Sequence, residues 1–564
     1  MKITENTKRF PWILRSGVRS SLGNFIAIGI TVFFIVLFSL FSIIQYLSLG
    51  DSGYDLGMHA QVLESFLHGE LFYSPLIGES LLGQHFTIFE FFQVPVYILY
   101  PSPISLLLFQ DIFIVLAGYV LYRITKHLLA DQLKSARSLE AVSISFLIVY
   151  EMSPYTQSLV SFPFHSMAFL PFFFLLAIYA FLREMRGLHL FSLAMIITLH
   201  SNFVYIVGIM LLYELIFLRT NKGKKISVWL SSKHDPRGKI QLLYFIIFAV
   251  ALYGYVVFAG LMKGYILGTG LASLSPSTGA SGVVSDSPLG LIFLLVTNPH
   301  SFFSYIFVNG DQKMFYMSFI FDSTAYLPFF SPLSLIMTLP YLLYAVPSNY
   351  SSYYQLGYQY SSMLTGPVFY GSVIGLYNIV LLAHYFRKMI EERRKVDIKI
   401  STSLKKFLSR EFSNERNYVA LFVVLAIILS VAVIPYGIFS PAKVFQRPEG
   451  SVMQNVNYYS INNTSFFLAS ESSKIPSEAY ILTENSLMPY FSNHINTYST
   501  PWSPGIYDNL SRFSYLVIQY NSFWATTTQS LPSLQTIALD GLANGTYSVI
   551  ASLPSSDVYV LEKN

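Results

Sequence analysis

From Gly23 to Gly50 the chain reads GNFIAIGITVFFIVLFSLFSIIQYLSLG, without one charged side chain. A helix needs about 20 apolar residues to cross the hydrocarbon of a bilayer, and this run exceeds that. It is too long for the apolar core of a cleaved signal peptide and lacks a small-residue cleavage site, so it is expected to remain as an anchor. Lys2, Lys8, Arg9, Arg15 and Arg19 precede it. By the positive-inside rule the N-terminus is then cytoplasmic and Asp51 emerges on the far side.

The rest of the chain follows the same logic. Of 564 residues 53% are hydrophobic and only 12% charged, about half the charge of a soluble domain. Further spans are predicted at Ile104 to Tyr122, Ser138 to Met152, Ser166 to Leu182, Leu188 to Leu199, Phe203 to Leu218, Gln241 to Met262, Thr365 to Tyr385 and Tyr418 to Tyr436. The interrupted region from Leu289 to Pro347 should cross an even number of times. That makes a mainly α polytopic transmembrane bundle of about eleven spans, with membrane lipids as its surroundings.

This threading puts 28 of the 35 Lys and Arg residues on the cytoplasmic side. The glycosylation sequons at Asn349, Asn462, Asn463, Asn509 and Asn544 all fall outside, where such sites are used. The net charge of +5 is therefore a topological signal and does not imply nucleic-acid binding. With no cysteine in the chain, disulfides, thiolate metal sites and a cysteine nucleophile are excluded.

The first outer loop, residues 51–103, opens DSGYDLGMHAQVLESFLHGELFYSPLIGESLLGQH. Leu56, Val62, Leu63, Phe66 and Leu67, with His59, recur at amphipathic-helix spacing up to Gly69. The helix is expected to lie on the membrane surface with Asp55 as its N-cap. Phe86 to Tyr100 is too short and polar to span comfortably and should dip into the outer leaflet or pack on the helix bundle.

From about Ser440 the composition becomes that of a soluble domain. SEAYILTEN, NTYST and FSYLVIQYN read as strands, NSLMPYFSN as a short helix, and YSVIASL with DVYVLEKN as a hairpin. The expected organisation is a helical membrane domain over 1–439 and a small extracytoplasmic α/β domain over 440–564. No phosphate-loop or dinucleotide motif is present in it.

The runs YDLGMHAQ, LLGQHF, PSPISLLLFQ, FPFHSMAFLPFFFLLAIYAFLRE, SPLSLIMTLPYLL and IPSEAYILTENSLMPYFSN resemble a family of archaeal and bacterial predicted membrane proteins of unknown function, grouped with the GT-C glycosyltransferases. The resemblance covers most of the chain. It implies a plasma-membrane protein that takes a sugar from a polyprenyl-phosphate carrier and transfers it to an extracytoplasmic acceptor of unknown identity. It also implies an acidic residue in the first outer loop, matching Asp51 and Asp55. The chain departs from the family pattern at Leu199 to Asn202 (LHSN) and at Gln359-Tyr360.

Sugar transfer from a lipid phosphate needs a base for the acceptor and a positive group or metal for the leaving phosphate. Asp55 is the first candidate base and Asp51 the second. Lys263 and Lys313, at outer ends of membrane segments, are candidate phosphate binders, with Tyr54 and Gln61 as further substrate contacts. His85, Glu90 and His165 could hold a divalent metal ion or orient an acceptor. Asp111 and Glu151 lie in or at the end of predicted spans, where a charge is costly and usually functional or paired. Plainer roles compete throughout: helix caps, interface anchors and packing contacts. The alternative functions are a transporter or lipid-handling protein and a catalytically inactive envelope scaffold, the latter suggested by the departure at LHSN.

Overall fold

A computed structural model describes residues 21–221, 236–267, 295–393 and 461–564, apart from 52, 85, 134, 462 and 527–531, together with residue 422. The expected last span, Tyr418 to Tyr436, lies outside these residues except for Phe422.

The apolar run at the start forms α1, Ser21–Leu47. One side of it, including Phe25, Val32, Phe33, Val36 and Leu40, is exposed, as a lipid-facing surface should be. Phe34 and Phe38 point into the bundle. Among the described residues four helices are long and apolar enough to cross a membrane, at Leu22–Leu47, Pro103–Leu129, Ile246–Ile266 and Gln359–Leu382. Shorter apolar helices lie at Glu90–Leu99, Ser166–Leu182, Arg186–Leu199, Ser201–Phe217 and Pro332–Leu343.

The Pro103–Leu129 helix is central, packing on α1, on Ala136–Met152 and on Leu170–Leu182. At the predicted cytoplasmic end Lys126 bridges Glu140 and donates to Asn24 Oδ1 at 3.0 Å, tying three helices by their feet. The Ser362–Arg393 helix meets its neighbours through glycines. A Cβ on Gly375 would lie 1.9 Å from the Leu327 carbonyl, and one on Gly371 2.8 Å from Ser334 Oγ. Small residues at these two positions let backbones approach closely.

In the first outer loop one π-helical turn, Gly53–Gly57, leads into α2, Met58–Leu67. The helix stops where expected: Gly69 takes φ +91°, its N–H bonds Phe66 O and that of Glu70 bonds Ser65 O, a Schellman arrangement. Two expectations need correction. The N-cap position belongs to Gly57, with no side-chain cap, because Asp55 is one turn too early, inside the π turn. Nor does α2 lie on a lipid surface, since Met58 to Leu63 are all buried. A hairpin of β1, Tyr73–Ser74, and β2, Glu79–Ser80, follows.

What covers α2 is the end of the chain. Strands β3 (Ile481–Glu484), β4 (Thr497–Thr500), β5 (Tyr515–Gln519), β6 (Tyr547–Leu553) and β7 (Val558–Lys563) form one sheet in the order β4-β3-β5-β7-β6. β3 runs parallel to β4 and β5, while β7 is antiparallel to β5 and β6. Strand side chains alternate between faces, and this sheet uses both. Leu482, Leu516 and Ile518 join Leu534 and Ile537 in one cluster, whereas Ile481, Val517 and Val560 share a continuous core with Leu56 and Val62 of the first loop.

Candidate functional site

The loop is clasped to the sheet by backbone chemistry. Asn485, just past the carboxyl end of β3, accepts from Gly53 N–H at 2.8 Å with its carbonyl and from Tyr54 N–H at 2.9 Å with Oδ1. A Cβ on Gly53 would lie 2.7 Å from that same carbonyl. Next to it, Glu484 is fully buried between the carboxyl ends of β3 and β5. It accepts from Gln519 N–H at 2.8 Å and from the Ser522 hydroxyl. Burial pushes its carboxyl up to about 7, against the pull of those donors.

The turn so held presents Tyr54 and Asp55, both partly buried. The Tyr54 hydroxyl is hydrogen-bonded by the Gln84 side chain and lies within electrostatic reach of Asp55, Tyr350 and Glu79. Burial raises the Tyr54 pKa above the ordinary tyrosine value. Lys263, buried at the end of its helix, donates from Nζ to Gln84 O at 3.0 Å. Its charge opposes the burial that raises the Glu79 carboxyl. Asp55 and Glu79 thus lie within electrostatic reach of Tyr54, and Lys263, held on the Gln84 backbone, lies within reach of Glu79. Trp502, from the turn after β4, closes over Tyr54 with ring centroids 5.3 Å apart.

Asp51 has a different setting. It is 2% exposed, and Gln45 Nε2 bridges its Oδ1 (3.0 Å) to Ser161 O (3.1 Å). Asp111, also buried, faces Ser42 and Asp51 from the Pro103–Leu129 helix. Glu151 is buried as well and rests its carboxyl on Gly118, where a Cβ would come within 2.2 Å of Oε1.

A third niche joins Glu90 to His59, whose Nδ1 is 3.0 Å from Glu90 Oε1, with the Ser166 hydroxyl donating to the same oxygen at 3.1 Å. His165 stands beside His59, ring centroids 5.8 Å apart. However, His165 Nδ1 accepts from Met167 N–H at 3.1 Å, capping a short helical turn. His200 does the same for Asn202 N–H, which gives the LHSN segment a structural role. His85 lies outside the described residues. Among those described, no group of three or more His, Asp or Glu side chains is arranged to hold a metal ion.

Two candidates fall elsewhere. Lys313 donates to Tyr305 O at 2.9 Å and lies 5.0 Å above the Tyr354 ring, an anchoring environment. Gln61 spends its amide on Thr497 O (2.9 Å) and accepts from the Ser74 hydroxyl, so it binds chain rather than substrate. Gln84 and Asn485 fall within the runs LLGQHF and IPSEAYILTENSLMPYFSN that carry the resemblance, but nothing in those runs marks them as site residues; Glu79 and Trp502 are hinted at only by the density of polar and aromatic residues in ESLLGQH and TPWSPG.

Residues 45–558 match a protein family described as "Predicted membrane protein (DUF2079)". No curated protein matches the chain. Among solved structures, a crystal structure of ArnT from Cupriavidus metallidurans in the apo state is similar over 95% of this chain and 98% of that chain, at 11% identity and a TM-score of 0.44.

Proposed function

This chain belongs to the Predicted membrane protein (DUF2079) family, and we propose that it is a membrane glycosyltransferase-like protein working at the extracytoplasmic surface. It transfers a sugar from a polyprenyl-phosphate donor to an acceptor hydroxyl or amine. The observation that carries this reading is the placing of Glu79, Gln84 and Lys263 near Tyr54 and Asp55, which lie on a turn clasped by the C-terminal sheet. The resemblance to GT-C enzymes supports the same reading.

Asp55 is the base. Its carboxylate takes the acceptor proton while the acceptor atom bonds to the anomeric carbon, and the carbon–oxygen bond to the phosphate breaks with its electron pair on the phosphate. π turns of this kind occur often at functional positions. Lys263 stabilises the leaving phosphate: an ammonium has three donors, and Gln84 O takes one. Asp51, bridged by Gln45, holds the entrance to the loop. In this reading residues 440–564 form an extracytoplasmic domain and the N-terminus is cytoplasmic.

Purified protein in lipid, given host polyprenyl-phosphate glycans and extracted acceptors, should move sugar to the acceptor. Lys263→Gln should lower kcat more than it raises KM for the lipid donor, because the stabilised charge develops as the phosphate leaves. Failure of the wild type to turn over a donor pool that a known transferase consumes would remove the enzyme reading.

A further inference from the structure

We propose that Trp502, backed by Tyr54, forms an aromatic platform for a pyranose ring, with Gln84 accepting a hydrogen bond from one of its hydroxyls. The site rests on the glycosyl-transfer reading and gives it a sugar-binding residue from the far end of the chain.

Trp502 is 42% exposed although it belongs to a braced turn. Ser499 N–H donates to Ser503 Oγ at 2.9 Å, Trp502 N–H bonds Ser499 O at 3.0 Å, and Pro504 packs on Gly78 of the β1–β2 hairpin. At Gly78, with φ +71°, a Cβ would come within 2.5 Å of that proline. The indole is thus set rigidly above the hairpin that carries Glu79, at 55° to the Tyr54 ring. An exposed indole backed by a second ring suits a pyranose, whose axial C–H groups form an apolar, slightly positive face for a π system.

The polar half of the site is Gln84. Its side chain is hydrogen-bonded with the Tyr54 hydroxyl, while its Oε1 is buried with no hydrogen-bond partner among the described residues. A buried acceptor left open calls for a reason, and a sugar hydroxyl beside Tyr54 supplies one. Lys263, bonded to the Gln84 carbonyl and within electrostatic reach of Glu79, marks where the phosphate of a lipid-linked sugar would lie.

The test uses full-length protein in lipid nanodiscs, titrated with polyprenyl phosphate carrying one hexose and, separately, with polyprenyl phosphate alone. Trp502→Ala should weaken the hexose-bearing lipid about tenfold, the scale of one lost aromatic contact, and leave the bare lipid unchanged. Trp502→Phe should keep most of the affinity, and Gln84→Leu should lose affinity for the hexose-bearing lipid alone. Thermal unfolding of each variant checks that the fold survives. Equal loss for both lipids, or no loss in Trp502→Ala, overturns the platform while leaving a lipid-phosphate site in place. A wild type that binds neither lipid overturns the platform and the transfer reading together.

Discussion

At the scale of single residues the two acids of the first outer loop, alike in sequence, become different groups. Asp51 is enclosed and answered by Gln45, whereas Asp55 stays partly open beside Tyr54. Nothing local distinguishes them, because the difference comes from Ser161 and Asn485, far along the chain. Glycines carry a comparable burden. Gly53→Ala would drive a methyl against the Asn485 carbonyl and Met488, and overpacking of this kind costs about 1–3 kcal/mol. The expected result is a lower unfolding temperature and faster proteolysis near residue 485, while Gly69→Ala, with nothing within 4 Å but φ +91°, should cost about 1–2 kcal/mol through backbone strain alone.

At the scale of elements, what the sequence made legible was periodicity. The apolar run of α1, the stop of α2 at Gly69 and the strands around Ile481, Thr497, Tyr515, Tyr547 and Val558 follow from local pattern. Which way α2 faces did not, because its cover of Met488 and Thr497 arrives more than 400 residues later and amphipathicity alone cannot tell lipid from protein. The same distance hides the environment of Glu484. The folded protein holds the Glu484 proton up to about pH 7, against an ordinary value of 4.5. Stability from this group is therefore complete below about 4.5 and is lost as the pH rises through about 7. Hydrogen exchange at residues 481–485 in the full chain should quicken between pH 5 and pH 8 beyond the intrinsic rate change. Glu484→Gln should remove that extra dependence, and an unchanged profile in the variant would refute the assignment.

At the scale of the whole molecule, membrane residence was legible from composition and from the basic residues that punctuate the apolar runs. The joining of the C-terminal sheet to the first loop through one continuous core was not. The threading predicts that the sheet faces the extracytoplasmic space. The chain has no native cysteine, so single replacements report cleanly. In intact cells Ser473→Cys should react with a membrane-impermeant maleimide, while Ala130→Cys should react only after permeabilisation. The reverse pattern would invert the topology and place the Asp55 site on the wrong side for an extracytoplasmic acceptor.

The most direct measurement of the central claim is single-turnover sugar transfer from a polyprenyl-phosphate donor by wild type, Asp55→Asn and Asp51→Asn in lipid. If Asp55 takes the acceptor proton, Asp55→Asn should bind the donor normally and lose transfer by roughly 100-fold or more, whereas Asp51→Asn should lose stability ahead of chemistry. Full transfer by a folded Asp55→Asn protein would contradict the account.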